Sequence, residues 1–207
     1  ANTDQLSGIS NRYHFQNYLK QLTDPQQNDD KSFALLFIDL DHFKSVNDTY
    51  GHHTGDQLLR LVSNRIRLAI RPQDKIARLG GDEFAVILEN IHSESTALQI
   101  SQRIIQKMES GFTLQESNIY ITASIGIALY PEDCKTPAKL LQFADLAMYN
   151  AKGLGRSQIV MYSEEHNQQV QERLTVERLL SKAIEQDLFE IHYQPIVSLT
   201  EKKIKGI

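Results

Sequence analysis

Two glycines followed by two carboxylates make up the segment of this chain best suited to chemistry. Residues 80–84 read Gly-Gly-Asp-Glu-Phe, with apolar runs on both sides. A glycine pair between apolar runs predicts a tight β-hairpin turn, with Asp82 and Glu83 at its tip. Taken alone, the segment could equally be a polar hairpin turn without a function, so its interpretation depends on what lies beside it.

A second pair of carboxylates, Asp39 and Asp41, ends the apolar run that starts at Phe33. The run predicts a buried strand, and the alternation of side chains along a strand would point both aspartates to one side. Because neighbouring elements usually pack together, we expect the strand beside the hairpin and all four carboxylates in one cluster. Carboxylates without nearby His or Cys suit Mg²⁺ or Mn²⁺, ions that commonly serve phosphate chemistry.

Strands that alternate with helices must position these carboxylates. The pattern predicts an α/β (α+β) fold, with a mixed central β-sheet flanked by helices. After Ser163 the chain becomes polar and helical in pattern, which predicts a linker helix over 163–188. The expected helices are 11–22, 55–70, 96–109 (ended by Gly111) and 137–153; the expected strands are 33–40, the hairpin at Gly80, 119–129 and 158–161, with a polar loop at 24–31.

Composition limits the partners of this chain. Its 207 residues, 41% of them hydrophobic, suffice for one domain with a good core and an appendage. A net charge of −4 gives no general attraction to nucleic acid or anionic lipid. The single cysteine, Cys134, excludes an intrachain disulfide, and no apolar run is long enough to span a membrane. We therefore expect a cytoplasmic chain without direct membrane contact, while a membrane anchor elsewhere in a parent protein stays open.

Four segments of the sequence, in order, resemble the GGDEF family of diguanylate cyclases. That family condenses two GTP molecules into the bacterial second messenger cyclic di-GMP and releases pyrophosphate. The resemblance covers residues 1–162 and implies the palm-like nucleotidyl-cyclase fold. Ser7 and Ile9-Ser10 depart mildly from the family's opening segment, at positions that are not catalytic in it. The segments are 4–12, 37–56, the signature 80–84 and 145–156.

The resemblance implies a role for each matching residue. Asp39, the backbone carbonyl of Leu40 and Asp82 would hold two Mg²⁺ or Mn²⁺ ions at each GTP site. Asp82 would also accept a proton. The remaining positions are Lys44 and Glu83 for catalysis, Asn47, His52 and Asp56 for guanine, Gly80 and Gly81 for close approach of the nucleotide, and Lys152 and Arg156 for the terminal phosphates.

Most of these residues also have ordinary structural interpretations. An exposed lysine such as Lys44 is commonly just solvated surface, a loop histidine such as His52 is commonly incidental, and Glu83 could serve only as a hydrogen-bonding partner around the site. The sequence alone leaves these alternatives open. The same holds for Asn47 and Asp56 as turn or cap residues, and for Lys152 and Arg156 as favourable charges at a helix C-terminus.

The resemblance further implies regulation and assembly. Arg71 and Asp74, with five residues between Asp74 and Gly80, match the RxxD site where the family binds cyclic di-GMP as an inhibitor; a helix-ending turn at Arg71-Pro72 is the structural alternative. Because each chain offers one GTP site, the reaction requires a transient homodimer.

The leading hypothesis is an active cyclase with product feedback. The alternatives are a GTP-binding regulatory module of a hybrid phosphodiesterase, or a cyclic di-GMP receptor or dimerisation scaffold.

The end of the chain resembles a different domain. Residues 189–207 are similar to the first strands of EAL-type cyclic di-GMP phosphodiesterase domains. The metal-binding glutamate of that family does not occur before Ile207, so we expect no phosphodiesterase activity from these residues. Because a lone strand cannot bury its apolar face, we expect the segment to be disordered or docked on a neighbour.

Overall fold

A mixed six-stranded sheet forms the centre of the first of two units, residues 1–168. The computed structural model describes residues 2–24, 31–114, 117–190, 192–198 and 203–206. The two outermost strand pairs are parallel and the pairs between them antiparallel. In spatial order the strands are β1 (Ser10–Asn11), β3 (Lys75–Gly80), β4 (Glu83–Glu89), β2 (Phe33–Leu40), β7 (Ala123–Tyr130) and β8 (Ile159–Met161).

Helices cover both faces of this sheet. Because β2 is central and buried along its whole length, its sequence is an almost unbroken apolar run. Phe33, Leu35 and Phe37 pack on one side with residues of the first and fifth helices, and the alternate residues pack on the other. The helices of this unit are α1 (Arg12–Leu22), α2 (Phe43–Tyr50), α3 (His52–Ala69), α4 (Glu94–Glu109) and α5 (Pro137–Gly153); β5 (Phe112–Leu114) and β6 (Ser117–Ile119) form a separate hairpin.

Helix α5 approaches β7 as closely as a backbone can. A Cβ atom on Gly126 would lie 2.0 Å from the carbonyl oxygen of Ala144 and 2.1 Å from the amide nitrogen of Met148. Such contacts with backbone atoms cannot be relieved by turning a side chain, so only glycine fits. This contact fixes α5, and with it the side chains that α5 directs towards the strand ends.

Most of the predicted elements are confirmed, including β2, the hairpin, α1, α5 and the end of α4 at Gly111 (φ 70°). The short helix α2 was not predicted, and α3 begins at His52 rather than Gly55. Gly51 adopts φ 83°, which ends one helix and lets the next begin at once. The predicted strand over 119–129 is confirmed from Ala123 onward, as β7, but its start is wrong, because Ile119 belongs to β6 and residues 120–122 lie in neither strand. Of the predicted loop, residues 25–30 lie outside the described part of the chain.

The second unit comprises residues 169–207. It contains most of α6 (Glu164–Glu185) and a two-stranded antiparallel pair, β9 (Ile196–Ser198) with β10 (Lys203–Gly206). The predicted helix is therefore confirmed, while Phe189, Glu190 and the described residues His192–Pro195 have no regular structure. None of the helices in the described ranges has the length and apolar character that a membrane span requires.

Candidate active site

The signature glycines form the tip of the β3–β4 hairpin, as predicted. Gly81 and Asp82 make the turn, and Gly80 pairs with Glu83 across it. Gly81 has φ 48° and Gly80 φ 153°, a region that residues with a Cβ rarely adopt. The turn therefore depends on the glycines for its conformation, and it leaves Asp82 at the tip.

The end of β2 lies directly beside this turn. The amide of Leu40 donates a hydrogen bond to the carbonyl oxygen of Asp82 at 3.3 Å, and Asp39 is in register with Glu83. The carboxylate of Asp39 forms an ion pair with Lys152 of α5, whose Nζ lies 2.7 Å from Asp39 Oδ2. Residues far apart in sequence thus meet at one end of the sheet.

Burial changes the acidity of Asp39. It raises the pKa of the Asp39 carboxyl to about 6, the charges of Asp82 and Asp41 act in the same direction, and Lys152 opposes them. The pKa of Glu83 is also raised, mainly by burial. A crowded set of negative charges of this kind favours a bound cation.

The four predicted carboxylates lie close enough that, besides burial, their charges raise the pKa of Asp39 and of Glu83, but they do not share one metal-binding arrangement. Asp41 is buried and accepts hydrogen bonds from the Thr122 and Ser124 hydroxyls, at 2.7 Å each, and from the Ser157 amide at 3.0 Å. Glu83 faces Arg12, with a 3.4 Å ion pair. Within the described ranges, no group of three or more His, Cys, Asp or Glu side chains is arranged to hold a metal.

Two carboxylates and one main-chain carbonyl therefore remain as candidate cation ligands. They are Asp39, Leu40 and Asp82, the same residues that the family resemblance assigned. Three oxygen donors of this kind match the preference of Mg²⁺ and Mn²⁺, which complete their coordination with water and substrate phosphate. The donor chemistry fits the expected ions.

The predicted guanine-binding residues lie on two consecutive helices, α2 and α3, which meet where Asn47 contacts Gly55. The Asn47 side chain lies against Gly55, where an added Cβ would come within 1.9 Å of Asn47 Oδ1. Asp56 follows Gly55 on α3 and is exposed, while Asn47 is half-buried. His52, in the first turn of α3, is also exposed. The missing side chain of Gly55 is thus what allows the Asn47 side chain to pack against α3 at the residue before Asp56.

The start of α2 is suited to an anion. His42, which precedes the helix, makes no side-chain hydrogen bond to the first turn. Amides of an uncapped first turn can bind phosphate oxygens, and the exposed Lys44 adds a positive charge there. Arg156, beyond the end of α5, is exposed with φ 65°, and the bond from the Ser157 amide to Asp41 anchors its loop.

The two residues of the RxxD pair differ in exposure, because Arg71 is exposed and Asp74 is buried. Asp74 is buried, and its two oxygens accept hydrogen bonds from the amides of Arg71 at 2.8 Å and Glu89 at 3.2 Å. The Arg71 side chain is exposed beside a cavity of about 470 Å³ that Arg67 and Lys75 also line. Asp74 therefore has a structural role, and any contact with a ligand would use its remaining lone pairs.

Two charged residues near Glu83, Arg12 and Asp145, were not among the predicted site residues. Arg12 pairs with Glu83, and Asp145 of α5 lines the same cleft. The seven-residue spacing from Asp145 to Lys152 corresponds to about two helical turns, which could have indicated that both lie on one face of α5. Arg12 ends the segment 4–12 that resembles the family's opening segment, but that resemblance assigned it no role.

Known proteins resemble this chain over most of its length. The family model for the diguanylate cyclase GGDEF domain matches residues 1–158. Cyclic di-GMP phosphodiesterase NbdA of Pseudomonas aeruginosa is 38% identical over 204 residues, which are 99% of this chain and 26% of NbdA. Bifunctional diguanylate cyclase/cyclic di-GMP phosphodiesterase MucR, from the same organism, is 41% identical over 204 residues, 99% of this chain and 30% of MucR.

A solved structure of a similar protein has the same fold. The GGDEF domain of Pseudomonas aeruginosa TpbB, a diguanylate cyclase, aligns with a TM-score of 0.78 and 40% identity, over 82% of this chain and 99% of that chain. The mixed sheet with flanking helices is thus the fold of these domains. The chain spans only 26% to 36% of the length of the three curated relatives.

Proposed function

The chain belongs to the GGDEF family of diguanylate cyclase domains, and we propose that it condenses two GTP molecules into cyclic di-GMP with release of two pyrophosphates. The observation that carries the proposal is the hydrogen bond from the Leu40 amide to the Asp82 carbonyl oxygen. It brings Asp39 and Asp82 to the same end of the sheet, close to the uncapped start of α2. A triphosphate bound there would meet both cation ligands and main-chain amides.

In the proposed reaction, the 3′-hydroxyl of one GTP attacks the α-phosphate of the other, and pyrophosphate leaves. Asp39, Leu40 and Asp82 would hold two Mg²⁺ or Mn²⁺ ions, which neutralise triphosphate charge and acidify the attacking hydroxyl when bound. Asp82 takes up the hydroxyl proton, and Lys44 stabilises charge on the transferring group. Arg156 binds the terminal phosphates. Lys152, which is paired with Asp39 in this structure, breaks that ion pair and binds the terminal phosphates together with Arg156.

Guanine selectivity is assigned to Asn47 and Asp56. A carboxylate can accept hydrogen bonds from N1–H and N2–H₂ of guanine, whereas adenine offers no such pair of donors on that edge. A bound adenine would cover the Asp56 carboxylate without donating to it, and a covered polar group without a partner costs binding free energy, which gives the site its discrimination. The contact of Asn47 with Gly55 supports this assignment, because it holds the amide against the residue that precedes Asp56. His52 lies at the start of the same helix and could add a further contact.

A measurement on the purified chain tests the proposal. Incubation with GTP and Mg²⁺, followed by chromatographic separation of nucleotides, should yield cyclic di-GMP from the wild type. Asp82→Asn should lower turnover by at least about a hundredfold, because a ligand charge is lost, while Asn still tolerates the turn. Asp187→Asn, at an exposed position in the second unit, is the matched control and should retain full activity. Near-normal product from Asp82→Asn would contradict the role of Asp82.

The second candidate is a GTP-binding regulatory module of a hybrid enzyme. It is favoured by the relatives, because NbdA is named as a phosphodiesterase and MucR as bifunctional. Their matches also run well beyond the residues covered by the GGDEF model. In this proposal residues 189–207 begin an EAL-type domain. GTP binding without any cyclic di-GMP formation would favour the regulatory module over the cyclase.

A further inference from the structure

Arg12 lies where the N-terminal segment meets the signature hairpin. Strand β1 runs parallel to β3, with Asn11 in register with Arg78. The Asn11 side chain then accepts a hydrogen bond from the amide of His14, which caps α1 and fixes its first turn. Arg12 is the first residue of that helix, so its backbone is held beside the end of β3.

The guanidinium of Arg12 contacts the hairpin at several points. Its Nε donates a 2.8 Å hydrogen bond to the carbonyl oxygen of Leu79. Its Nη2 lies 3.4 Å from Glu83 Oε2, and a Cβ on Gly80 would lie 4.0 Å from the same nitrogen. One planar group thus contacts both strands at the point where they leave the turn.

A second arginine holds the other side of the turn. Arg78 Nε donates a 2.9 Å hydrogen bond to the carbonyl oxygen of Gly81, and Arg78 is itself paired with Asp4 at 3.2 Å. The two carbonyls that flank Gly80 are therefore each bound by an arginine Nε. Glycine has the largest conformational freedom of all residues, so a turn of two glycines needs such external contacts to keep one geometry.

Asp145 of α5 supplies further charge to the same cleft. With Arg12, Glu83 and Gln142 it lines a cleft of about 320 Å³. Asp145 attracts Arg12 and repels Glu83. The cation of Arg12 therefore attracts both carboxylates and offsets the repulsion between them.

We propose that Arg12 is a positioning residue for the signature turn: by binding the Leu79 carbonyl and the Glu83 carboxylate it holds Asp82 in place for phosphoryl transfer. The inference rests on the proposed cyclase function for its kinetic consequence, although the contacts themselves do not. Arg12 touches neither nucleotide nor reacting atoms in this role. Its effect passes through the hairpin.

Folding stability should depend little on Arg12. Its side chain is 53% exposed, and exposed ion pairs contribute little to stability. Turnover should depend on it strongly, since misplacing a catalytic group by about 1 Å can cost about a hundredfold in rate. This separates a positioning role from a structural one.

Arg12→Ala and Arg12→Lys test the proposal, with Arg103→Ala as the matched control. Arg103 also uses Nε to bind a carbonyl oxygen, that of Ala69 at 2.7 Å, but it lies on α4 away from the hairpin. We expect Arg12→Ala to lower kcat by about tenfold to a hundredfold with KM for GTP changed less than about threefold. Arg12→Lys, which keeps the charge but not the fork of donors, should recover part of kcat. Arg103→Ala should behave as wild type.

Amide exchange of Leu40 gives a readout that does not need activity. Its hydrogen bond ends on the carbonyl of Asp82, so exchange followed by NMR reports the position of the turn. We expect faster exchange in Arg12→Ala but not in Arg103→Ala. If the wild type makes no product, the cyclase function fails while this measurement still decides the positioning role. The proposal would be overturned if Arg12→Ala changed neither kcat nor the exchange rate of the Leu40 amide. It would also be overturned if Arg103→Ala had the same effects as Arg12→Ala.

Discussion

At the scale of single residues, Asp39 combines burial with two neighbouring negative charges. Its pKa of about 6 lies above the value of about 3.9 in an unfolded chain. Because the pKa is raised, the native state keeps the Asp39 proton up to a higher pH than the unfolded chain does, so protonation of Asp39 stabilises the native state. The contribution to stability is thus fully present below about pH 4 and is lost as the pH rises through about 6.

The first prediction follows for cation binding. We expect the nucleotide-free protein to bind Mn²⁺ less tightly as the pH falls through about 6, because a protonated Asp39 no longer serves as an anionic ligand. Calorimetric titrations at pH 5 and 7.5 measure the change. Asp39→Asn should show weak binding at both values. A wild-type affinity that is the same at both pH values would contradict this account of Asp39.

The second prediction concerns Arg71 and product feedback, which we propose from the family resemblance and the basic cavity. Arg71→Ala keeps the main-chain amide that binds Asp74, so the loop should fold normally. It should weaken cyclic di-GMP binding by about 1–3 kcal/mol, by analogy with bidentate guanine contacts in nucleic acids, without changing initial cyclase rates. Calorimetry with the product checks this. Equal product affinity for wild type and Arg71→Ala would remove the inhibitory site.

Asp74 calls for a different substitution. Asp74→Ala would leave the partly buried amides of Arg71 and Glu89 without their acceptor, at a cost of about 1 kcal/mol for each. Loss of product binding in that variant would therefore report on folding of the loop as well as on the ligand. Arg71 is the informative position of the pair.

At the scale of elements, the corner between α2 and α3 depends on Gly55. The third prediction is that Gly55→Ala pushes the Asn47 side chain aside, because the new Cβ would come within 1.9 Å of Asn47 Oδ1. The free energy of unfolding should change by less than about 1 kcal/mol, since alanine favours the helix and the end of a side chain can move. GTP affinity should fall about tenfold, the equivalent of about one hydrogen bond.

A double-mutant cycle checks the origin of that loss. If Gly55→Ala acts through Asn47, adding it to Asn47→Ala should weaken GTP binding no further. Additive losses in affinity would show instead that Gly55→Ala disturbs the corner in another way.

The elements that could be predicted were those whose pattern depends on local sequence. The apolar run of β2 and the glycine pair each specify their own structure, and both are confirmed. Helix α2 was missed because only eight residues form it and only Phe43 and Val46 are buried. The role of Asp41 was missed because its donors, Thr122, Ser124 and the Ser157 amide, come from distant parts of the chain.

At the scale of the whole molecule, the proposed reaction needs two GTP sites that face each other. One chain supplies one such site, so the fourth prediction is that specific activity rises with enzyme concentration at micromolar levels or below. Initial rates over a dilution series, with the oligomeric state followed by light scattering, measure this. Constant specific activity in a preparation shown to be monomeric would rule out the homodimer.

The position of Asp41 has a consequence for genetics. A mutational scan that scores only product would record substitutions at Asp39 and Asp41 as the same loss. Loss of Asp41 leaves buried donors of β7 and of the Arg156 loop without an acceptor, which is a defect of folding. Such an allele should be conditional and recover at low temperature, whereas an allele of Asp39 should stay inactive at every temperature.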